Sequence, residues 1–150
     1  MKELENFLLD PDAITEAMRE KLRSAGKEVS SSELKKIPNF LAEEVLSRKL
    51  DIFSQMTAFR RRYLRTARKD HRDEATIDLE TTRGLEALWT DERRRVGLAP
   101  GKDVLGAVQQ RLQREFGRSL TPNEIVQKME ATNHVQELVR VLSELDNFCS

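Results

Sequence analysis

The sequence predicts an all-α fold: an irregular bundle of about six helices, including one long central helix, in a single domain spanning residues 1–150. Charged residues make up 35% of the chain and aromatic residues only 5%, with six glycines and four prolines. This composition is typical of helical proteins. Apolar residues recur at three- and four-residue spacing, and no segment shows the sustained polar–apolar alternation of a half-buried strand.

Local signals place the first helices. Asp10 followed by Pro11 predicts an N-cap and the first residue of a helix. Proline is tolerated at that position because its missing N–H would have no partner within the helix. Gly26 is the residue type that ends helices in the left-handed conformation. Ser30, three residues before a glutamate, predicts a capping box for a short helix that ends at Pro38.

The long central helix is predicted to begin at Asn39, which is a good N-cap residue. An apolar line on one face then runs for about 30 residues, or roughly 45 Å. Its members are Leu41, Val45, Ile52, Met56, Phe59, Tyr63 and Ala67. The charged span 69–82 is weakly periodic, and we predict a loop or a frayed helix end there.

The second half of the chain carries three further helix signals. Thr90 or Asp91 can start a turn after Trp89, which is most simply a core anchor. Residues 100–101 break the chain before an apolar stripe that is closed by Gly117. Residues 121–124 combine an N-cap, a proline and a glutamate, the strongest capping signal in the chain. The last helix is predicted to carry Val135, Leu138, Val139, Leu142, Leu145 and Phe148.

Composition also limits the function. The formal net charge is zero, so only a local basic patch can attract a polyanion. The lone Cys149 excludes an internal disulfide and, with no signal peptide, predicts a cytoplasmic protein. The two histidines, His71 and His134, are far apart in the sequence and form no zinc-ligand cluster with Cys149. No apolar run approaches the roughly 20 residues that cross a bilayer, so no membrane partner is expected.

A basic stripe is the main candidate for nucleic-acid binding. Its four arginines recur in steps of four, three and four, which places them on one helix face: Arg61, Arg65, Arg68 and Arg72. The planar guanidinium matches phosphate oxygens, so the stripe predicts contact with DNA. The alternative is a solvated helix face whose charge is partly neutralised by Asp70, Asp73 and Glu74.

The opening segment suggests a domain cut from a longer protein. Leu4, Phe7 and two following leucines arrive almost at once, where a free N-terminus is usually polar. Glu3 and Glu5 form an E-x-E pair, and paired carboxylates can bind Mg²⁺ together with substrate phosphates. Two glutamates in so charged a chain are also compatible with a plain surface, and no catalytic constellation accompanies them.

Two segments carry a family resemblance. Residues 3–11 (ELENFLLDP) resemble the E-[IL]-E-N-[YF]-L-L-x-P motif of AAA/ABC-type ATPases with a TOPRIM nuclease domain, such as the overcoming-lysogenization-defect (OLD) endonucleases and their anti-phage relatives. Residues 99–105 (APGKDVL) are similar to the P-G-K-[ED]-[VL]-L segment near the end of those proteins. The two motifs stand about ninety residues apart in the expected order, and the stretch 120–148 fits the family's last helices.

The resemblance implies a C-terminal helical domain of a larger ATPase/nuclease, with residues 1–10 as the tail end of a preceding TOPRIM-like domain. ATP and Mg²⁺ would belong to the parent protein, and Glu5, then Glu3, are the implied metal ligands. Phe7 stands where the family often has Tyr, so this chain has no hydroxyl there. One or two carboxylates cannot hold a catalytic metal pair, so the chain alone is expected to be no enzyme.

The implied partners are the preceding ATPase and TOPRIM domains, together with DNA and a second copy in a homodimer. Two alternatives stay open. One is a self-contained small helical adaptor, bacterial or phage, that binds a protein. The other is a small helical DNA-binding module. The parent-fragment hypothesis predicts an exposed apolar patch around Leu4, Phe7 and Leu8, whereas the adaptor hypothesis predicts that those residues are buried.

Overall fold

The computed structural model describes residues 4–132, 140, 141, 143–145 and 147, and every regular element in them is helical. A 3₁₀ helix opens this part of the chain at Leu4–Leu8. The α-helices follow in order: α1 (Pro11–Ser24), α2 (Ser31–Leu34), α3 (Lys36–Leu46), α4 (Lys49–Thr66), α5 (Glu74–Trp89), α6 (Glu92–Leu98), α7 (Gly101–Phe116) and α8 (Pro122–Thr132). The all-α prediction is confirmed, but these residues hold eight α-helices rather than about six.

The helices form a body and a hairpin, and the hairpin consists of α4, α5 and the loop between them. In the body, α1 packs on α3 and α8, α3 packs on α7, and the 3₁₀ helix packs on α7 and α8. Helices α4 and α5 pack on each other in antiparallel fashion, and α5 joins the body through α6. The body is centred on side chains that are at most 1% exposed: Ile14, Met18, Leu22, Ile37, Val45, Val104, Val108, Leu112 and Ile125.

The capping predictions at Asp10, Gly26, Gly117 and the Thr121–Glu124 pair are confirmed. Asp10 Oδ1 accepts hydrogen bonds from the backbone N–H groups at the start of α1, and Gly26 follows that helix with a φ of +76°. At the start of α8, Thr121 Oγ1 accepts from the Glu124 N–H at 3.2 Å while Glu124 Oε1 accepts from the Thr121 N–H at 2.9 Å. Gly117 ends α7 in the left-handed conformation with a φ of +71°.

The single long helix predicted from Asn39 is wrong, because the chain breaks between α3 and α4. Ser47 Oγ and Arg48 Nη1 both donate to the Glu44 carbonyl, at 2.9 and 2.7 Å, and so satisfy the end of α3. The two helices serve different partners. Helix α3 packs on α1 and α7, whereas α4 packs on α5 and fully buries only Ile52.

The starts of two helices also differ from prediction. Pro38 does not end the short helix, since α2 ends at Leu34 and Pro38 lies in the first turn of α3, where proline is tolerated. Asn39 is therefore inside α3 rather than at its N-cap. The span predicted as a loop or frayed end is helical from Glu74 onward, because Ile77 is buried between the two helices of the hairpin.

Among the described residues, no helix combines the length and apolar character that crossing a bilayer requires. Most of the predicted last helix lies outside them. Within the part that is described, Val141 and Leu145 are helical and buried.

Candidate functional site

The basic stripe lies on the hairpin, where Arg61 is held by acids of the opposite helix. Its guanidinium forms a forked pair with Asp78, at 3.1 Å from Nε to Oδ1 and 2.6 Å from Nη2 to Oδ2. Glu74 lies 3.8 Å from the same group. The hydrogen bonds to Asp78 raise the pKa of Arg61 above its ordinary value. This arginine therefore fastens α4 to α5.

Arg65 and Arg72 fasten the loop that joins the two helices. Arg65 donates to the backbone carbonyl of Asp70 at 2.5 Å and to that of Arg72. The Arg72 guanidinium pairs with Asp70 at 2.8 Å and with Glu80 at 2.5 Å. Hydrogen bonds from Arg72 lower the pKa of Asp70 from 3.8 to about 2. Both cations are thus used inside the hairpin.

The four arginines do not share one helix face, because α4 ends at Thr66. The Asp70 N–H donates to the Leu64 carbonyl at 2.8 Å, and Lys69 takes a φ of +50°, so the chain turns before Arg68 and Arg72 can continue the helix. That part of the prediction is wrong. Whether the arginines bind DNA stays a prediction.

A smaller set of cations points to solvent at this end of the hairpin. Arg62, Arg68 and Lys69 are exposed, and their side chains make no hydrogen bond or ion pair within the described part of the chain. His71 is also exposed in the same loop. These residues, rather than Arg61 and Arg72, are the ones that can turn toward a phosphate.

The predicted metal ligands are only partly within the described residues. Glu3 lies outside them, while Glu5 is half-buried in the first turn of the 3₁₀ helix. No group of three or more His, Cys, Asp and Glu side chains within the described ranges is placed to hold a metal ion. The metal role of Glu5 therefore stays a prediction that needs ligands from elsewhere.

The two motifs behind the family resemblance contact each other. Asn6 Nδ2 donates to the carbonyls of Val96 and Ala99, at 3.2 and 2.8 Å, and the Asn6 side chain is 1% exposed. Gly101 lies directly against it, since a Cβ at that position would stand 2.6 Å from both Asn6 N and Asn6 Oδ1. The opening motif is thus locked onto the start of α7 by a buried polar contact.

The apolar residues of the opening motif pack into the chain's own fold. Leu8 and Leu9 are buried in the main core, and the half-buried Phe7 packs against it. The side chain of Leu4 lies outside what the structure describes. The prediction of an exposed patch around Leu4, Phe7 and Leu8 is therefore wrong for Leu8, because the opening segment forms part of the hydrophobic core of the helical body.

A cavity of about 310 Å³ lies where the N-terminal end of α1 meets α3 and α6. Asp10 is one of its lining residues and is 7% exposed. Its Oδ1 caps α1, at 3.0 Å from the Asp12 N–H and 3.2 Å from the Ala13 N–H. Its Oδ2 is buried and has no hydrogen-bond partner among the residues that the structure describes. Charged groups of α6, among them Glu92 and Arg95, complete the wall.

Sequence reasoning identifies Asp10 as a cap but does not find this cavity. A capping residue is recognised from its neighbours in the chain, whereas the cavity is made by segments about thirty and eighty residues further on. The contact between Asn6 and Gly101 is missed for the same reason, although both residues belong to segments that the sequence singles out.

Comparisons with protein-family models, with curated protein sequences and with solved structures find no match to this chain.

Proposed function

We propose that this chain is the C-terminal helical domain of an OLD-like ATP-dependent DNA endonuclease or anti-phage ATPase. In that role it binds and supports the ATPase and TOPRIM domains and is not catalytic alone. ATP and Mg²⁺ belong to the parent enzyme, with Glu5 as one contributed ligand and Glu3 as a second. The cytoplasm is the proposed location, since the lone Cys149 fits a reducing compartment.

One observation carries this proposal: the two segments that resemble the family pack against each other. The Asn6 amide donates to the carbonyl of Ala99, the first residue of the second motif, and to that of Val96 just ahead of it. The close approach of Asn6 to Gly101 leaves no room for a side chain there. Because each motif gives the other a partner, their joint presence has a physical reason, and the segment next to Glu5 is held in a fixed position.

The proposal is tested with plasmid cleavage. The chain alone is expected to leave supercoiled DNA intact in Mg²⁺ or Mn²⁺. When added to the ATPase–TOPRIM portion of an OLD-like endonuclease that lacks its own helical region, the chain is expected to restore Mg²⁺-dependent cleavage. Robust cleavage by the chain alone, or no restoration and no complex in the mixture, would contradict the proposal.

A matched pair of variants sharpens that test. Asn6→Ala removes the contact between the motifs and is expected to abolish restoration while circular dichroism shows a helical fold. Gln110→Ala changes an exposed residue of α7 and is expected to restore cleavage as the unaltered chain does. Equal restoration by both variants would show that the contact between the motifs has no part in the function.

A second candidate is the self-contained adaptor, which the burial of Leu8 and Leu9 favours. Its docking surface would lie at the junction of α3 and α4, where Leu46 is 47% and Leu50 is 85% exposed. A photo-cross-linking residue at position 50 is expected to capture one defined protein, either a partner or a second copy of the chain. The same residue at exposed Arg114 serves as the control, and equal capture at both positions would contradict this candidate.

A third candidate is DNA binding through the free end of the hairpin, which the exposed cations Arg62, Arg68 and Lys69 favour. Within the described residues these three side chains have no compensating acid, whereas Arg61 and Arg72 are each paired with an aspartate.

A further inference from the structure

The cavity at the start of α1 has the size and walls of a small-molecule site. Its volume of about 310 Å³ is at the lower end of the range for ligand pockets. Apolar side chains supply much of its lining: Leu9, Leu41, Ala42, Val45, Val96 and Val141. These walls suit the aliphatic part of a ligand.

The buried carboxylate of Asp10 determines which kind of ligand suits this cavity. Oδ1 caps α1, but Oδ2 has no hydrogen-bond partner within the described part of the chain, although the residue is buried, with only 7% of its surface exposed. A buried charged oxygen without a hydrogen bond is costly, and a cationic N–H group is the donor that offsets this cost best. Asp10 is itself one of the residues that line the cavity, so a donor bound there lies beside its carboxylate.

A second carboxylate in the wall of the cavity, that of Glu92, can attract a cation. Glu92 is exposed at the wall formed by α6, and its carboxylate makes no hydrogen bond or ion pair within the described part of the chain. The Arg95 guanidinium is engaged elsewhere, since Nε donates to the Trp89 carbonyl at 2.8 Å and its carbon lies 5.5 Å from the centre of the Trp89 ring. Arg93 contributes a second positive charge to the wall. Of the other carboxylates in the wall, Glu92 is thus the one that can join Asp10 in attracting a cation.

We propose that this cavity binds a small aliphatic amine in its protonated form. The alkyl chain packs against the apolar wall, and the ammonium group donates to Asp10 Oδ2. Glu92 adds electrostatic attraction from α6. The cavity is formed by this chain's own residues, so binding does not depend on a parent enzyme.

Titration calorimetry and methyl NMR with n-butylamine hydrochloride at neutral pH test the proposal. We expect saturable binding, with shifts confined to methyl groups that line the cavity, such as those of Leu41 and Val96. At equal ionic strength, n-butanol and sodium butyrate are expected to bind much more weakly or not at all. Absence of saturable amine binding, or equal binding of the alcohol, overturns the proposal.

Three variants separate binding from folding. Asp10→Asn keeps a capping oxygen, because asparagine caps helices about as well as aspartate, but it removes the charge. We expect it to weaken amine binding by roughly 10- to 100-fold, the range for a hydrogen bond to a charged group. Ala42→Leu fills the cavity and is expected to abolish binding, whereas Ala58→Leu, at an exposed position of α4, leaves it unchanged. Unchanged affinity in a folded Asp10→Asn protein contradicts the role of the carboxylate.

Discussion

Gly101 and Gly106 lie in the same helix and meet opposite surroundings. At Gly101 an added Cβ would stand 2.6 Å from the backbone nitrogen of Asn6, which cannot move without shifting the 3₁₀ helix. At Gly106 nothing lies within 4 Å of an added Cβ, and the residue is exposed. Neither glycine has a positive φ, so space rather than backbone conformation distinguishes them.

We therefore expect Ala substitution to act in opposite directions at the two glycines. Gly101→Ala is expected to lower the free energy of unfolding by about 1–3 kcal/mol through overpacking against Asn6. Gly106→Ala is expected to raise it by about 0.5–1 kcal/mol, since alanine is the better helix former. Urea unfolding followed by circular dichroism measures both values. Equal effects of the two variants would refute the close approach at Gly101.

Individual caps are predictable from sequence, since each depends on residues a few positions apart. Asp10, the Thr121–Glu124 pair and Gly117 all lie where the sequence predicts them. The break at Ser47 is not predictable from periodicity. The apolar spacing continues across it, whereas α3 and α4 pack on different partners.

The hairpin is held by ion pairs between its helices and within its loop. One of these pairs makes the stability of the folded state depend on pH. The Arg72 guanidinium holds the pKa of Asp70 at about 2, below its ordinary 3.8. A carboxyl whose pKa is lowered in the folded state stabilises that state above its unfolded pKa. This contribution is lost as the pH falls from about 4 through 2.

Carbon-detected NMR titration of the Asp70 carboxyl tests this assignment. We expect a midpoint near 2 in the unaltered chain and a shift toward 3.8 in Arg72→Gln. Arg83→Gln removes an exposed arginine of α5 that makes no side-chain hydrogen bond or ion pair within the described residues, and it is the control. If the Asp70 midpoint is the same in all three proteins, Arg72 does not hold the loop in solution.

For the whole molecule, the all-α class follows from composition and periodicity, but the assembly of candidate sites does not. The basic stripe is inferred from spacing along a continuous helix, and the turn at Lys69 separates its members. Net charge is zero, so a nucleic acid can be attracted only by cations that are not already neutralised. At the loop end of the hairpin, the exposed cations that make no hydrogen bond or ion pair within the described residues are Arg62, Arg68 and Lys69.

Matched triple variants test DNA binding at this scale. If the hairpin end binds DNA, replacing Arg62, Arg68 and Lys69 with Ala is expected to weaken binding and to reduce the salt slope by about 0.9 for each phosphate that is no longer neutralised. The control removes the same charge from exposed arginines on α1, on α7 and just after it: Arg23, Arg114 and Arg118. Fluorescence anisotropy at several salt concentrations gives both slopes. Equal weakening in the two proteins, or no measurable binding, would rule out a dedicated DNA surface.

Asn6 and Gly101 occupy adjoining space, and this has a consequence for how the chain can diverge. A homologue that carries alanine or a larger residue at position 101 must shift its 3₁₀ helix, because the added Cβ meets the backbone nitrogen at position 6 whatever side chain stands there. The reverse change, replacement of the asparagine, would leave the carbonyls of Val96 and Ala99 without their donor and would require a substitute such as ordered water. Glycine is therefore expected at position 101 wherever the 3₁₀ helix keeps this placement.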